Sequence, residues 1–303
     1  MNNVLVIGSI NYDTSIVVDR IPVSGETIKS TKIEYHYGGK GANQAVASSK
    51  SGTTTYLIGA LGDDAEGAEL KQSLINSSVN INGIIEKKAL VTGQAFITVA
   101  ENGDNAIIVV PGANDNLSIE DISKNKYLFK EAKVLLIQLE IPMKTVEYSL
   151  KVAKEMGLIT ILNPAPAAHI SLDLYKYIDI LTPNEKELDI LVGMDESKSY
   201  SEKAMTLIDK GVKSVIVTLG EKGAVEINKE YIKSYSSFKS KVIDTTGAGD
   251  CFNGYLASSL AQGKTIEEAI IYANKGASLS VTKKGAQNSI PTKEEVETYF
   301  REV

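Results

Sequence analysis

The segment of residues 244–250 has the composition that a phosphate-binding helix start requires. Its sequence is Asp-Thr-Thr-Gly-Ala-Gly-Asp, and the residues after it place apolar side chains roughly on one face of a predicted helix. Gly247 and Gly249 leave the backbone amides uncovered where the helix dipole is positive. Asp250 could also be a simple N-cap, but a cap does not need two glycines before it. The segment therefore favours binding of an anion such as a phosphate group.

A second glycine-rich segment, residues 38–44, opens a helix predicted over residues 40–51. Its sequence is Gly-Gly-Lys-Gly-Ala-Asn-Gln. Glycines allow the backbone to approach a ligand closely, and the Asn43 amide offers both a donor and an acceptor. Short glycine-rich strings are common, so a flexible hinge followed by a helix is an equally good interpretation. The segment by itself leaves both open.

Polar or glycine-rich residues follow the strand-like apolar runs of the chain. The runs cover residues 4–10, 134–140, 158–162, 177–181 and 214–219. They lead into Asn11-Tyr12-Asp13, Glu140, Asn163, Asn184 to Glu187, and Gly220 to Gly223. Each of these residues alone could cap a helix. Together they predict a polar ligand in the crevice at the carboxyl ends of parallel strands.

The elements that must position these residues are strands alternating with helices. Pro142 suits the first position of one such helix, and Gly157 suits its end. This alternation is typical of a parallel sheet covered on both faces. Residues of about 11–37 and 90–112 differ, because they are rich in β-branched residues and tyrosine and include an Asn-Gly-Asp turn. We predict one α/β domain, residues 1–303, whose small antiparallel lid is formed by these two ranges.

The composition excludes several functional classes. The chain has 303 residues, 32 of them Lys or Arg and 38 Asp or Glu, for a formal charge of −6 and a pI of about 5.2. This acidity argues against a nucleic-acid-binding surface. The N-terminus lacks the pattern of a signal peptide, and no apolar run approaches the roughly 18 residues of a membrane span. We expect a soluble, cytoplasmic protein that binds neither nucleic acid nor a membrane.

One cysteine and two histidines limit the metal and nucleophile chemistry. Cys251, His36 and His169 cannot assemble a usual zinc site, and a Ser-His-Asp hydrolase would have to use one of the two histidines. We interpret Cys251 as a small packing residue in the first helical turn. The histidines are interpreted as surface or supporting residues.

Two nucleotide motifs are also excluded. The Gly-x-Gly-x-x-Gly spacing of a dinucleotide-binding fold is absent after the first strand. Gly263-Lys264-Thr265 resembles the end of a Walker A loop, but it follows a helix instead of a strand. Gly263 instead predicts a helix end, and Thr265 with Glu268 predicts a capping box.

Taken together, the motifs resemble the ribokinase-like (PfkB) carbohydrate kinase family over nearly the whole chain. The matching motifs are NYD at 11–13, GGKGANQA at 38–45, QLE at 138–140, NPAPA at 163–167, TPNEKE at 182–187, TLGEKG at 218–223, DTTGAGDCFNG at 244–254 and VTKKGAQNSIP at 281–291. GGKGANQA and KGAQ-x-S-x-P are similar to the members that phosphorylate ribose. The resemblance implies a three-layer α/β/α fold with a mostly parallel central sheet and a small β-sheet lid.

The resemblance also implies roles for individual residues. It assigns ribose contacts to Asn11, Asp13, Gly39, Lys40, Gly41, Asn43, Glu140 and Asp250. Carboxylates suit a polyol because each can accept several hydroxyl hydrogen bonds. Asp250 matches the family's catalytic base, which takes the proton of the sugar's 5-hydroxyl as that oxygen attacks the γ-phosphate of ATP. The amides of Gly247, Ala248 and Gly249 would stabilise the transferring group.

The nucleotide and cation sites are implied in the same way. Nucleotide-binding positions match Asn184, Thr218, Gly220, Gly223, Gly249 and Asn274. Glu187 matches a position that helps to hold Mg²⁺, through water. A site for K⁺ as an activator, formed mostly by backbone carbonyls, maps onto Asp244, Thr246, Ser280, Lys283, Gly285 and Ser289.

The activity implied is ATP-dependent phosphorylation of D-ribose at O5. Another sugar kinase of the family, such as one acting on deoxyribose, and a non-catalytic sugar-binding protein are the alternatives. The presence of Asp250, Asn184 and Glu187 weighs against the second. The runs at 95–100 and 105–110 are too apolar for a solvated flap, so we expect a homodimer joined through the lids.

Overall fold

Two β-sheets form the frame of the computed structural model, which describes residues 2–195 and 197–301. The strands are β1 (Val4–Ile7), β2 (Asn11–Val18), β3 (Lys32–Gly38), β4 (Thr55–Gly62), β5 (Asn80–Lys87), β6 (Gly93–Ala100), β7 (Asn105–Val110), β8 (Val134–Ile137), β9 (Ile159–Leu162), β10 (Ile180–Leu181), β11 (Ser214–Thr218), β12 (Ala224–Asn228) and β13 (Ile232–Tyr235). The α-helices are α1 (Lys40–Lys50), α2 (Ala65–Asn76), α3 (Ile119–Lys124), α4 (Tyr127–Glu131), α5 (Met143–Glu155), α6 (Glu185–Val192), α7 (Tyr200–Asp209), α8 (Ala248–Ala261), α9 (Ile266–Ser280) and α10 (Lys293–Tyr299).

The larger sheet is mostly parallel, as predicted. Its order is β13-β12-β11-β10-β9-β8-β1-β4-β5, and only β12 and β13 run antiparallel to their neighbours. The carboxyl ends of β1, β8, β9, β10 and β11 therefore meet at one edge. β10 has two residues and is shorter than the predicted run at 177–181. The Thr160 hydroxyl donates to the Tyr177 carbonyl at 2.7 Å, so a side chain takes the place of a backbone donor at the start of the predicted run.

Each face of this sheet carries its own apolar core. Leu5 and Ile7 of β1 pack with apolar residues of α3 to α7 on one face. Val4 and Val6 pack with α1, α2, α8, α9 and α10 on the other. All four of these strand residues are fully buried. Alternate side chains of a strand point to opposite faces, so this pattern confirms the predicted three-layer α/β/α arrangement.

Helix α8 is buried on every side, whereas the sequence predicted a single apolar face. Every residue from Asp250 to Ala261 is buried, because α8 packs against α1 and α9 as well as the sheet. Gly254 permits the contact with α1, since a Cβ there would lie 2.4 Å from the Ala47 Cβ and 2.6 Å from the Gln44 carbonyl oxygen. The small residues of α8 therefore serve close helix packing.

The smaller sheet has the order β3-β2-β6-β7 and uses the ranges predicted for the lid, extended to Gly38. The hairpins β2–β3 and β6–β7 are antiparallel. The strands β2 and β6 that join them are parallel, so the prediction of a wholly antiparallel sheet was wrong. The two hairpins enter from distant parts of the chain, and a hairpin pattern determines only the pairing within each hairpin.

The predicted helix boundaries hold to within about one residue. The first glycine-rich segment leads into α1, which ends at Lys50 instead of residue 51. Pro142 was predicted as the first residue of α5 but is its N-cap, and the helix begins one position later at Met143. Gly263 follows α8 with φ +87°, and Thr265 with Glu268 forms the predicted capping box of α9. None of the helices in the described residues is long and apolar enough to cross a membrane.

Candidate active site

The carboxyl edge of the large sheet brings together most of the predicted site residues. Glu140 follows β8, Asn163 follows β9, and Asn184 follows β10. Thr218 ends β11 and its amide donates to the Pro183 carbonyl at 2.9 Å, which joins the β10 and β11 ends beyond the regular ladder. Asn11 and Asp13 reach this edge from β2 of the smaller sheet. The five polar segments predicted from the sequence thus lie at one edge.

The start of α8 has the geometry of an anion site. Gly247 is the N-cap with φ +75°, a left-handed conformation that favours glycine. The amide of Ala248, which was also predicted to stabilise the transferring group, already donates to the Thr245 carbonyl at 3.2 Å. Among the described residues, the amides of Gly247 and Gly249 have no acceptor. Those two amides are open to an anion at the positive end of the helix dipole.

Asp250 lies in the first turn of α8 but does not cap its own helix. Its Oδ2 accepts from the Asn43 side-chain amide at 2.9 Å, and its Oδ1 accepts from the Gln44 side-chain amide at 2.9 Å. The residue is 8% exposed and lines a cavity of about 150 Å³ at the carboxyl edge of the sheet. The carboxylate is therefore held by α1 and faces a small cavity.

A chain of buried amides, from Gln44, Gln138 and Asn163, surrounds Asp250, and the sequence singled out only Asn163 among them. Gln44 Nε2 also donates to Asn163 Oδ1 at 3.0 Å, and Gln138 Nε2 donates to Gln44 Oε1 at 2.6 Å. Asn163 Nδ2 donates to the Thr182 carbonyl at 3.0 Å. Gln44, Gln138 and Asn163 all occur within quoted motifs, but nothing in their local pattern separates a buried amide from a surface one.

The glycines at the start of α1 have a packing function. Gly39 has φ +84°, and a Cβ there would lie within 2.8 Å of the Ile10 and Asn11 backbone. A Cβ on Gly41 would lie 2.5 Å from the carbonyl carbon of Gly8. The segment is therefore a close contact with the end of β1 that leads directly into the helix. This contact positions Lys40 and Asn43, in the first turn of α1, at the site.

Asp13 and Glu140 supply carboxylates on the sugar side predicted from the sequence. Glu140 Oε2 accepts from the Ser9 hydroxyl at 2.5 Å and from the Lys40 amide at 3.2 Å. Asp13 Oδ1 is buried without a hydrogen-bond partner among the described residues, as is Asn43 Oδ1. Unsatisfied buried acceptors are uncommon in folded proteins. Both atoms suit the hydroxyl donors of a polyol.

Negative charges outnumber positive charges at this edge, and together with burial they shift the pKa values of the site residues. Burial, together with the neighbouring charges of Glu140 and Asp250, raises the pKa of Asp13 to about 7. Burial also raises the pKa of Glu187, with a contribution from Asp250. For Lys40, burial opposes the charged form, but the surrounding carboxylates outweigh it and hold its pKa above the usual value. Four carboxylates thus surround one ammonium group, which leaves excess negative charge.

Glu187 and Asn184 form a capping box at the start of α6. Glu187 Oε2 accepts from the Asn184 amide at 2.9 Å, and Asn184 Oδ1 accepts from the Glu187 amide at 2.8 Å. Both residues line the small cavity that contains Asp250. No group of three potential metal-binding side chains occurs in the part of the chain that the structure describes. One or two carboxylates beside a phosphate site are the arrangement that Mg²⁺ commonly uses, because it keeps several waters.

A second cavity of about 350 Å³ adjoins the first and shares Asn184, Thr218 and Gly249 with it. Gly220, Gly223 and Asn274 also line it. The positions predicted to bind a nucleotide therefore line one cavity. The Asn274 side-chain amide donates to the carbonyls of Tyr235 and Ser236 at 3.2 and 3.3 Å, so it braces the cavity wall.

The residues predicted for a monovalent cation lie in two loops beside the start of α8, except Ser280, which is the last residue of α9. Asp244 joins these loops, because its carboxylate accepts from the Thr246 amide and the Gly285 amide, each at 2.9 Å. The hydroxyls of Ser280 and Ser289 donate to the carbonyls of Ala277 and Ala286. Ala286 packs against Gly247, and the Lys283 side chain turns away to Glu295. The loop at 280–289 thus supports the anion site directly.

Cys251 and the histidines lie where the sequence interpretation placed them. Cys251 is fully buried, and burial raises the pKa of its thiol to about 12, which makes it unreactive near neutral pH. His36 lies on β3, partly exposed, and His169 is exposed after β9. Neither histidine hydrogen-bonds to Asp250.

Comparison with known proteins places this geometry in one family. The model of the pfkB family carbohydrate kinases matches residues 1–293. Ribokinase of Haemophilus influenzae is 39% identical over 292 residues, which cover 96% of this chain and 95% of that protein. The crystal structure of ribokinase from Thermotoga maritima is 40% identical, with a TM-score of 0.92 and 99% of each chain covered. Ribokinase of Arabidopsis thaliana, solved with ribose and ATP, is 33% identical, with a TM-score of 0.90 over 98% of this chain and 97% of that one.

The raised pKa of Asp13 predicts that the stability of the ligand-free protein depends on pH. The pKa of about 7 in the folded chain lies above the ordinary value of 3.8. Between these values the unfolded chain has lost the proton that the folded chain keeps, so the contribution of Asp13 to the free energy of unfolding falls as the pH rises. Asp13→Asn removes this titration. Without ligand, the variant should therefore melt at a higher temperature than the wild type at pH 8, but not at pH 4.

Asp19→Asn is the matched control, because Asp19 is exposed and directly follows β2, the strand that carries Asp13. Its melting temperature should differ from the wild type by the same amount at both pH values. A difference for Asp13→Asn that is equal at pH 4 and pH 8 would contradict the prediction.

Proposed function

Because the chain belongs to the pfkB family of carbohydrate kinases, we propose that it transfers the γ-phosphoryl group of ATP to the 5-hydroxyl of D-ribose. The observation that carries this proposal is the position of Asp250. Its carboxylate faces a small cavity lined by Lys40 and Glu187, next to the open amides of Gly247 and Gly249 and to the larger nucleotide-sized cavity. A proton acceptor between a polyol site and a phosphate site is what phosphoryl transfer to a hydroxyl requires.

The reaction begins with the sugar bound to side chains of β2, of the segment after β8 and of the start of α1. Asp13, Glu140 and Asn43 offer acceptors to its hydroxyl groups, two of them otherwise unsatisfied. The 5-hydroxyl gives its proton to Asp250 while its oxygen bonds to the γ-phosphorus. The bond from that phosphorus to the β–γ bridging oxygen breaks, and ADP leaves. Positioning of the two reactants supplies much of the rate.

Charge on the transferring group is stabilised by the start of α8 and by Lys40. The open amides of Gly247 and Gly249 donate to phosphoryl oxygens, and the helix dipole adds to their effect. We infer that Mg²⁺, held near Glu187 through water and by the phosphates, neutralises part of the negative charge when ATP is bound. The excess of carboxylates over ammonium groups at this edge fits such a cation.

A sugar screen tests the function. Ribose, deoxyribose, fructose and adenosine are each incubated with ATP and the protein, and ADP formation is measured by a coupled assay. The highest kcat/KM is expected for ribose, with ribose 5-phosphate as the product. A higher kcat/KM for deoxyribose would change the assignment to another sugar kinase. If no ADP is formed with any of the four compounds, the proposal is overturned.

A further prediction concerns replacement of the proposed general base. Asp250→Asn keeps the size of the side chain but removes the proton acceptor, so kcat should fall by roughly 10²- to 10⁴-fold. KM for ribose should change far less, because most sugar contacts come from other residues. If Asp250 had only a structural role, Asp250→Asn should lower thermal stability by loss of one of its two bonds to α1, and kcat should stay near the wild-type value. Near-normal kcat in the folded variant would end this mechanism.

A monovalent cation is the next proposal. Asp244 holds the loop of Gly285 against the start of α8, so K⁺ bound to carbonyls there would order the anion site. We expect the rate in K⁺ to exceed clearly that in Na⁺ or tetramethylammonium at the same ionic strength. Equal rates in the three salts would rule out activation.

The smaller sheet is proposed to act as a lid and to join two chains. Its edge strands β3 and β7 expose apolar residues, with Ile107, Ile108 and Val109 consecutive on β7 and each more than half exposed. Exposed apolar edges favour pairing with a second chain. Light scattering at micromolar concentration should give the mass of a dimer. Ile108→Asp should shift the mass toward that of a monomer.

The control for this experiment is Ile190→Asp. Ile190 is 50% exposed on α6, far from the smaller sheet in sequence, so its substitution should leave the dimer intact. A monomeric mass for the wild-type chain would reject the proposal.

A further inference from the structure

The Gln44 side chain lies at the centre of the buried amide chain around Asp250. Its Nε2 donates to Asp250 Oδ1 at 2.9 Å and to Asn163 Oδ1 at 3.0 Å. Its Oε1 accepts from Gln138 Nε2 at 2.6 Å. Gln44 and Gln138 are both fully buried, so no solvent replaces these bonds. Three hydrogen bonds thus hold one amide against the carboxylate.

The donors and acceptors of this chain can be arranged in only one direction. The Thr182 carbonyl can only accept, so Asn163 must present its Nδ2 to it. Asn163 then offers Oδ1 to Gln44, which must present its Nε2. The Gln44 Oε1 is left to accept from Gln138. A backbone carbonyl therefore determines that Gln44 directs a donor at Asp250.

These contacts override the usual behaviour of an aspartate in a first helical turn. Such a side chain commonly accepts from amides of its own helix. The α8 N-terminus has no side-chain cap, and both Asp250 oxygens are bound by α1 instead, Oδ2 by Asn43 and Oδ1 by Gln44. The open amides of Gly247 and Gly249 consequently stay free for a ligand. The hydrogen bonds from α1 therefore both orient the carboxylate and leave the amides of the anion site open.

We propose that Gln44 is a positioning residue for the general base, and that Gln138 and Asn163 act by holding Gln44. The proposal rests on the proposed function, because it assumes that Asp250 accepts the sugar proton. Gln44 keeps the carboxylate turned from its own helix toward the cavity. Gly8 makes room for this support, since a Cβ there would lie 2.0 Å from Gln138 Oε1.

A double-mutant cycle between Gln44 and Asp250 tests the proposal. Gln44→Met keeps the side-chain volume nearly constant and removes the donor. Its kcat should fall by roughly ten- to hundredfold, the range for losing a hydrogen bond to a charged group, while KM for sugar and for ATP stays close to the wild-type value. In the Asp250→Asn background the same substitution should cause little further loss, because Gln44 acts through the carboxylate.

Two further variants separate positioning from general packing. Gln138→Met removes only the bond that supports Gln44, so its kcat should fall less than that of Gln44→Met. Gln262→Met is the matched control. Gln262 donates to the hydroxyls of Thr53 and Ser258 at 2.8 and 3.2 Å, away from the site. Its loss should lower thermal stability and leave kcat unchanged.

The cycle is measured with whichever sugar the wild-type chain phosphorylates, so a change of substrate affects the proposed function and not this inference. The inference is overturned if Gln44→Met lowers kcat by the same factor in both backgrounds, raises KM instead, or leaves kcat at the wild-type value. It is also overturned if Gln262→Met lowers kcat as much as Gln44→Met does. A wild-type chain without any sugar-dependent turnover would reject the inference together with the proposed function.

Discussion

The backbone of α1 is in close contact both with α8 and with the residue after β1. The contacts of the candidate active site depend on this close packing. A Cβ on Gly254 would lie 2.8 Å from the Ser48 amide nitrogen, and a Cβ on Gly41 would lie 2.5 Å from the carbonyl carbon of Gly8. Larger residues at these positions would force the helices apart. Asn43 and Gln44 reach Asp250 only across this contact. The glycines thus fix where the proposed base stands.

The same packing concentrates carboxylates that the free chain cannot neutralise. Asp13, Glu140, Glu187 and Asp250 share one ammonium group, that of Lys40, and burial together with the charges of Glu140 and Asp250 raises the pKa of Asp13. Among the described residues, Asp13 Oδ1 and Asn43 Oδ1 are buried without donors, and the amides of Gly247 and Gly249 are without acceptors. The arrangement costs stability when no ligand is present. It is preorganised for hydroxyl donors, for a phosphate group and for a cation.

Much of the fold and many of the site positions could be predicted from local pattern. The parallel sheet followed from the apolar runs, and the open helix start followed from the two glycines before Asp250. Errors arose where elements meet. The parallel pairing of β2 with β6 joins strands 82 residues apart from Asn11 to Gly93, and the full burial of α8 depends on neighbours from both halves of the chain. No local pattern encodes such a partner.

The sequence by itself determined the kinds of group at the site and their places along the chain. It placed polar residues after each strand, an aspartate at a glycine-rich helix start, and capping boxes such as Thr265 with Glu268. These features depend on interactions over a few residues, and such interactions leave a local signature. Only the tertiary structure decided which amide binds Asp250, that the glycines of α1 serve packing, and that the pKa of Asp13 rises. Each of these depends on groups that are distant in sequence and on the exclusion of water, and both arise only when the chain has folded.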